Sequence, residues 1–219
     1  MPKQKIPEEG AADRAAALKL FPLSPESAAR FDIYAELLNK WQKTINLVSA
    51  STLPHVWTRH FADSLQVQGA VPDARIWADL GSGAGFPGLV TAIRLTEMPG
   101  AKIHLIESDS RKCAFLREVS RETQAAAIVH QGRIEDVLPT ISEKIDAVSA
   151  RALAPLPQLL AYSRDLLKNG ATAAFLKGEK LDDELTHARA LDYFDDYELS
   201  VIRSVTETSG RLLLVKQKL

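Results

Sequence analysis

The stretch Asp79-Leu80-Gly81-Ser82-Gly83-Ala84-Gly85-Phe86-Pro87-Gly88 decides the fold. Arg75-Ile76-Trp77-Ala78 before it is a short apolar run that reads as a buried strand. Leu89-Val90-Thr91-Ala92-Ile93-Arg94-Leu95 after it reads as a helix with a mostly apolar surface. The glycines therefore sit where a strand turns sharply into a helix. Glycine accepts positive φ and lets a ligand approach bare backbone. Pro87 fits the first turn of a helix, where its missing N–H costs little. Strand, glycine loop and helix together open a nucleotide-binding α/β unit.

Working outward, the rest of the chain alternates in the same way. Lys102–Glu107 is a strand ending in an acid, Arg111–Glu122 a helix and Ala126–His130 a strand. Ile145–Ala150 is a strand, Leu156–Leu167 a helix closed by Gly170, Ala171–Leu176 a strand and Leu181–Ala190 a helix. Tyr197–Val205 and Arg211–Lys216 are late strands with only Thr206–Gly210 between them, so they pair antiparallel. Upstream the reading is helical. Ala11–Leu20 is alanine-rich, and Ser24-Pro25-Glu26 starts a second helix with a capping hydroxyl and a first-position proline. A third helix is expected from about Leu53 to Gln66, and Met1–Gly10 reads as a solvated, weakly basic tail. The division expected is a tail and helical extension over 1–70 and a nucleotide-binding domain over 71–219, forming one compact unit.

Composition excludes little. The chain has 219 residues, 46% hydrophobic and 25% charged, with net charge −1. There is no bulk basic signal for nucleic acid, so any polyanion must be held locally. The single cysteine, Cys113, permits no internal disulfide and reads as a small buried hydrophobe. No apolar run approaches the ~20 residues of a membrane helix, and no signal-peptide core is evident. The expectation is a cytoplasmic protein without membrane contact.

An antiparallel last pair on a mostly parallel sheet resembles class I S-adenosylmethionine-dependent methyltransferases. The fold class expected is thus α/β, a Rossmann-like sheet with a C-terminal antiparallel hairpin and an N-terminal helical extension. The residues agree. Asp79 at the strand end is repelled by pyrophosphate but attracts the ammonium of an amino-acid moiety, which tilts the ligand from NAD toward S-adenosylmethionine. Glu107 is placed to accept two ribose hydroxyls; Asp109 reads as the cap of the next helix. Gly132-Arg133-Ile134-Glu135-Asp136 lies where the loop covers an adenine. Arg151, after the fourth strand, replaces the Asn/Asp-Pro-Pro-aromatic motif of amino-methylating enzymes. An arginine only donates, so it suits a carbonyl or phosphate. His60, Asp63 and Ser64 invite a hydrolase reading, but a helix packing its histidine against the sheet is preferred. No metal site is expected.

The segments Leu38-Asn39-Lys40-Trp41, Arg59-His60-Phe61-Ala62-Asp63-Ser64, the Asp79–Gly88 loop, Glu107-Ser108, Gly132-Arg133-Ile134-Glu135 and Ser149-Ala150-Arg151-Ala152 resemble the RsmG/GidB family. These are bacterial 16S rRNA guanine-N7 methyltransferases. One departure is that Ala150 stands between the serine and the arginine, which are usually adjacent. The resemblance implies S-adenosylmethionine as cofactor. It places Gly81, Phe86, Ile134, Glu135 and Arg151 against that cofactor or its site, beside Asp79, Gly83, Gly85 and Glu107. The implied substrate is a guanosine in the decoding-region loop, on 16S rRNA or a small-subunit assembly particle, with the enzyme a monomer. Guanine N7 carries a lone pair and no proton, so no general base is needed. Lys40, Lys43, Arg59, His60, Arg111, Lys112 and Lys177 are candidate RNA contacts. A small-molecule methyltransferase and a non-catalytic cofactor- or RNA-binding module are the alternatives.

Overall fold

The computed structural model describes residues 8–218; the N-terminal tail expected over Met1–Gly10 lies outside them in its first seven residues, and Glu8 to Gly10 already belong to a helix. Helices α1 (Glu8–Leu20) and α2 (Pro25–Trp41) lead. Ser24 caps α2 by accepting from the Ser27 amide at 3.1 Å, as the Ser-Pro-Glu start predicts.

The expected third helix is three pieces. A 3₁₀ turn (Leu53–His55) gives way to a π-helical turn (Trp57–Ala62), and α3 (Asp63–Ala70) follows. The interruption has a local cause. The buried Asp13 carboxylate of α1 accepts from the Trp57 amide at 2.8 Å and from the Thr58 hydroxyl, so the turn is anchored from outside. π turns are frequent at functional sites, and this one carries Arg59 and His60.

The sheet has seven strands in the order β3-β2-β1-β4-β5-β7-β6. They are β1 (Ile76–Leu80), β2 (Lys102–Glu107), β3 (Ala127–Gln131), β4 (Ala147–Arg151), β5 (Thr172–Lys177), β6 (Tyr197–Arg203) and β7 (Arg211–Gln217). The first five are parallel; β7 runs antiparallel between β5 and β6. The expected class I methyltransferase sheet with a terminal hairpin is what the chain forms. Helices α4 (Gly88–Arg94), α5 (Ser110–Thr123), α6 (Ile134–Val137), α7 (Leu156–Lys168) and α8 (Leu181–Ala188) connect the strands. Pro87 precedes α4 rather than opening it.

Each sheet face has its own core. On one, Phe31, Tyr34, Leu38 and Phe61 of the leading helices pack with Leu89, Phe115 and Leu116. On the other, Leu156, Leu159, Leu160 and Leu181 pack against Val148 and Phe175. The leading helices thus share a core with the strand–loop–helix unit. The strand order reverses at β1, whose neighbours are β2 and β4. In open α/β sheets ligands bind at that switch point, beyond the carboxyl ends of the strands.

Candidate active site

A cleft of about 750 Å³ lies at that edge, lined by Gly81, Gly83, Phe86, Glu107, Ile134, Glu135 and Arg151 among others. Its floor is the glycine loop. Gly81, Gly83 and Gly85 have φ of +63°, +55° and +91°, the left-handed region that side chains disfavour. At Gly85 space also forbids a side chain: a Cβ would lie 2.5 Å from the Tyr34 hydroxyl and 2.8 Å from Leu89 Cβ. Tyr34 donates that hydroxyl to the Ala84 carbonyl and stacks on Phe86 at 5.5 Å. Helix α2 therefore clamps the loop from behind. Burial holds the Tyr34 hydroxyl well above its ordinary pKa, so it remains a donor.

The two strand-end acids have different positions. Glu107 lines the cleft; its Oε2 accepts from the Gly83 amide at 2.9 Å and its Oε1 from the Asp109 amide at 2.8 Å. Each oxygen has a second lone pair to offer. Asp79 is fully buried and does not line the cleft, contrary to the direct ammonium contact expected of it. Its Oδ1 accepts from the Ser149 hydroxyl at 2.6 Å, and its carboxyl packs against Gly88, where a Cβ would sit 2.5 Å away. Burial raises its pKa to about 6, with Ser149 and Ser82 pulling the other way. The departure at Ala150 thus leaves Ser149 opposite Asp79 in the β1–β4 register. Asp109 caps α5, accepting from the Arg111 and Lys112 amides.

Arg151 leaves the end of β4 into the cleft, its side chain 20% exposed. Its guanidinium lies 4.8 Å over the Phe86 ring. One nitrogen reaches Asp63 Oδ2 at 3.4 Å and the other reaches His60 Nδ1 at 3.0 Å. Burial lowers the Arg151 pKa and Asp63 counters it; an arginine stays charged regardless. Ala152, next in the chain, takes φ +51°. Such a conformation costs of order 1 kcal/mol or more for a residue with a side chain.

His60, expected among the RNA contacts, is buried in this network. Its ring stacks on Phe86 at 4.8 Å, and Nε2 bonds the Thr52 hydroxyl at 2.9 Å. Since Arg151 can only donate, Nδ1 accepts and Nε2 carries the hydrogen. Burial, then Arg151, depress its pKa to about 3, so it is neutral. Ser64 is buried with no hydrogen-bond partner for its hydroxyl, so His60, Asp63 and Ser64 make no triad.

The expected RNA contacts divide. Lys43 and Arg111 are exposed and Lys112 lines the cleft. Lys40 pairs with Glu118 at 3.1 Å and Arg59 with Glu207 at 2.9 Å. Lys177 is half-buried, bound to Glu184 at 2.5 Å and to the Ala154 carbonyl at 3.1 Å. Its work is to hold the segment after β4. Lys177 also borders a second cleft, of about 780 Å³, which shares Arg151, Ala152 and Leu153 with the first. Residues without a role in the sequence reading are Tyr34, Ser149, Leu153, Tyr162 and Glu207. Tyr162 lines the cleft beside Glu135. Among the described residues no group of His, Cys, Asp and Glu is placed to hold a metal, and no helix is long and apolar enough to cross a membrane.

Residues 27–213 match the family model "rRNA small subunit methyltransferase G" (GidB), and the chain belongs to that family. It is 54% identical over 178 residues to "Ribosomal RNA small subunit methyltransferase G" of Bradyrhizobium sp. (strain BTAi1), covering 81% of this chain and 80% of that one. Its likeness to the protein of the same name from Nitrobacter winogradskyi is 50% over 211 residues, covering 96% and 75%. Among solved structures, a putative O-methyltransferase from Klebsiella pneumoniae superposes with TM-score 0.64 at 14% identity, covering 95% and 97%. The O-methyltransferase TomG from Streptomyces achromogenes, in complex with SAM, gives 0.61 at 18%, covering 100% of both. At such identity these two share the fold.

Proposed function

We propose that the protein methylates N7 of a guanosine in the decoding-region loop of 16S rRNA, with S-adenosylmethionine as cofactor. The observation that carries this is the character of the junction between the two clefts. It presents a fixed donor, Arg151, and among the described residues that touch Arg151 none is set to remove a proton. His60 has both ring nitrogens in bonds and a pKa of about 3, and Asp63 faces Arg151. Guanine N7 has no proton to lose, whereas an exocyclic amine or a hydroxyl does.

The residues present fit the cofactor. Glu107 keeps a lone pair on each oxygen for the two ribose hydroxyls. The loop from Gly81 to Gly85 offers backbone without side chains. Ile134 and Glu135 would border the adenine, and Phe86 would wall the site next to Arg151. Asp79 acts from beneath, holding the loop and adding negative field, not by contact. When bound, S-adenosylmethionine supplies an electrophilic methyl group on a sulfonium. The chain's own contribution is to align the acceptor nitrogen in a pocket shielded from water. Arg151 donates to O6 or a phosphate and leaves the N7 lone pair uncovered. N7 in A-form RNA lies in a deep, narrow groove, so the target base must be looped or splayed out. Lys40, Lys43, Arg111 and Lys112, grouped by the contact of α2 with α5, and Arg59 across the cleft, would hold the RNA backbone. An rRNA substrate puts the reaction in the cytoplasm.

The test is methyl transfer from labelled cofactor to 16S rRNA and to small-subunit particles lacking the modification, with calorimetry of cofactor binding. Label in either RNA substrate is the expected result. Cofactor binding without label in any RNA overturns the rRNA reading, and no cofactor binding overturns the enzyme reading.

A further inference from the structure

The second cleft carries features that methyl transfer alone does not require. It adjoins the first across Arg151, Ala152 and Leu153. An acceptor must reach the methyl group from a space continuous with the cofactor cleft, and this cleft meets that condition. Its outer wall is the loop between β6 and β7, and that loop is built rigidly. Ser204 Oγ accepts from the Thr206 and Glu207 amides at 3.1 and 3.2 Å. Asp63 Oδ1 accepts from the Ser204 and Thr206 hydroxyls, and Gln66 Oε1 from the Val205 amide at 2.9 Å. At Gly210 a Cβ would lie 2.8 Å from Ser204 Cβ and 3.1 Å from Glu207 Cβ. One carboxylate, Asp63, thus fixes both the loop and Arg151.

The loop presents Glu207 to the cleft. Its Oε1 is paired with Arg59 Nη2 at 2.9 Å, both side chains 39% exposed. An ion pair that exposed contributes little stability and exchanges cheaply. Guanine is the one base whose Watson–Crick edge carries adjacent donors, N1–H and the N2 amine, a match for the two oxygens of a carboxylate. Enzymes that act on a flipped base read that edge. The same base offers O6 on the side that suits a guanidinium.

We infer that the second cleft is the acceptor-base site and that Glu207 is its guanine-selecting residue, exchanging Arg59 for the N1–H and N2 donors of the incoming base. Arg59, released, turns to a phosphate. This rests on the reading of the chain as an rRNA guanosine methyltransferase. A base without the N2 amine leaves one carboxylate oxygen without its charge-assisted hydrogen bond, roughly ten- to a hundredfold in affinity.

The experiment is an NMR titration of the full chain, with S-adenosylhomocysteine present, by guanosine and inosine 5′-monophosphates, inosine lacking only the N2 amine. Wild type is expected to bind the guanosine nucleotide at least about tenfold more tightly, with shifts at Gly178 and Gly210. Glu207→Gln is expected to bind both alike, while Arg59→Gln keeps the preference. Equal binding by wild type, a preference surviving in Glu207→Gln, its loss in Arg59→Gln, or shifts confined to residues 81–85 overturns the inference. Transfer of label to RNA, measured on the same wild-type preparation, fails or succeeds independently and judges the rRNA reading by itself.

Discussion

The carboxyl ends of β1 and β2 each carry an acid, Asp79 one residue before the end and Glu107 at it, yet the two acids differ in kind. Glu107 lines the cleft with both oxygens on backbone amides. Asp79 is fully buried one strand away, with Ser149 as its hydrogen-bond donor and a pKa near 6. The difference lies in the neighbours. Both strands are flanked on each side, but Gly88 of the following helix packs against Asp79, whereas Glu107 ends a strand whose following loop opens to the cleft. A strand-end acid is a ligand group only where the next element leaves it room; otherwise it becomes part of the floor.

The end of β4 completes the set, and the largest effect is expected there. Arg151→Ala should lower methyl transfer about a hundredfold or more, the scale of losing one preorganised charged donor, while cofactor affinity falls by less than tenfold. A single-turnover assay beside calorimetry separates the two; full turnover in the variant removes the role assigned to Arg151. Next is the direct contrast of the acids. Glu107→Ala should weaken S-adenosylmethionine binding by tens of fold or more, through two charge-assisted bonds, and Asp79→Asn by no more than about threefold. The reverse ranking breaks the comparison. Third, Gly88→Ala pushes a methyl against Asp79 and should destabilise the protein by about 1–3 kcal/mol, read as a shifted denaturant midpoint.

The smallest effect is on pH dependence. The folded pKa of Asp79, about 6, lies above the ordinary carboxyl value of 3.8. Between these values the folded state holds a proton that the unfolded chain has released. Its contribution is therefore greatest below pH 3.8 and is lost as pH rises through about 6. His60, lowered from 6.5 to about 3, acts oppositely: its contribution is full above 6.5 and is lost as pH falls. Asp79→Asn removes only the first. Relative to wild type, the variant should gain stability as pH rises from 4 to 6, by a few kcal/mol at most. A difference that is flat over that range would mean Asp79 does not titrate as its burial requires.

The fold was legible because its signals are local. Gly81, Gly83 and Gly85 announce a turn that needs positive φ, and Asp109 and Ser24 announce helix starts. That Glu107 and Arg151 border the cleft follows from their places at the carboxyl ends of the second and fourth strands. What escaped depends on pairings between distant segments. Nothing near Ser149 says that it sits across from Asp79, because the β1–β4 register is set by the whole sheet. Tyr34 reads as one more apolar position until its hydroxyl is seen on Ala84. Charge alone does not show that Lys177 is held by Glu184 of the next helix, or that His60, expected to pack against the sheet, is bonded to Arg151 from the other half of the chain. Asp63, Gln66 and Glu207 are joined only once the terminal hairpin lies against α3. The π turn at Trp57–Ala62 depends on Asp13 from the first helix.

The most direct measurement is to incubate the protein with methyl-labelled S-adenosylmethionine and small-subunit RNA lacking the modification, digest the product and identify the labelled nucleoside. The account predicts N7-methylguanosine from a single site in the decoding-region loop. Label on an exocyclic amine, a ribose hydroxyl or another base would contradict it.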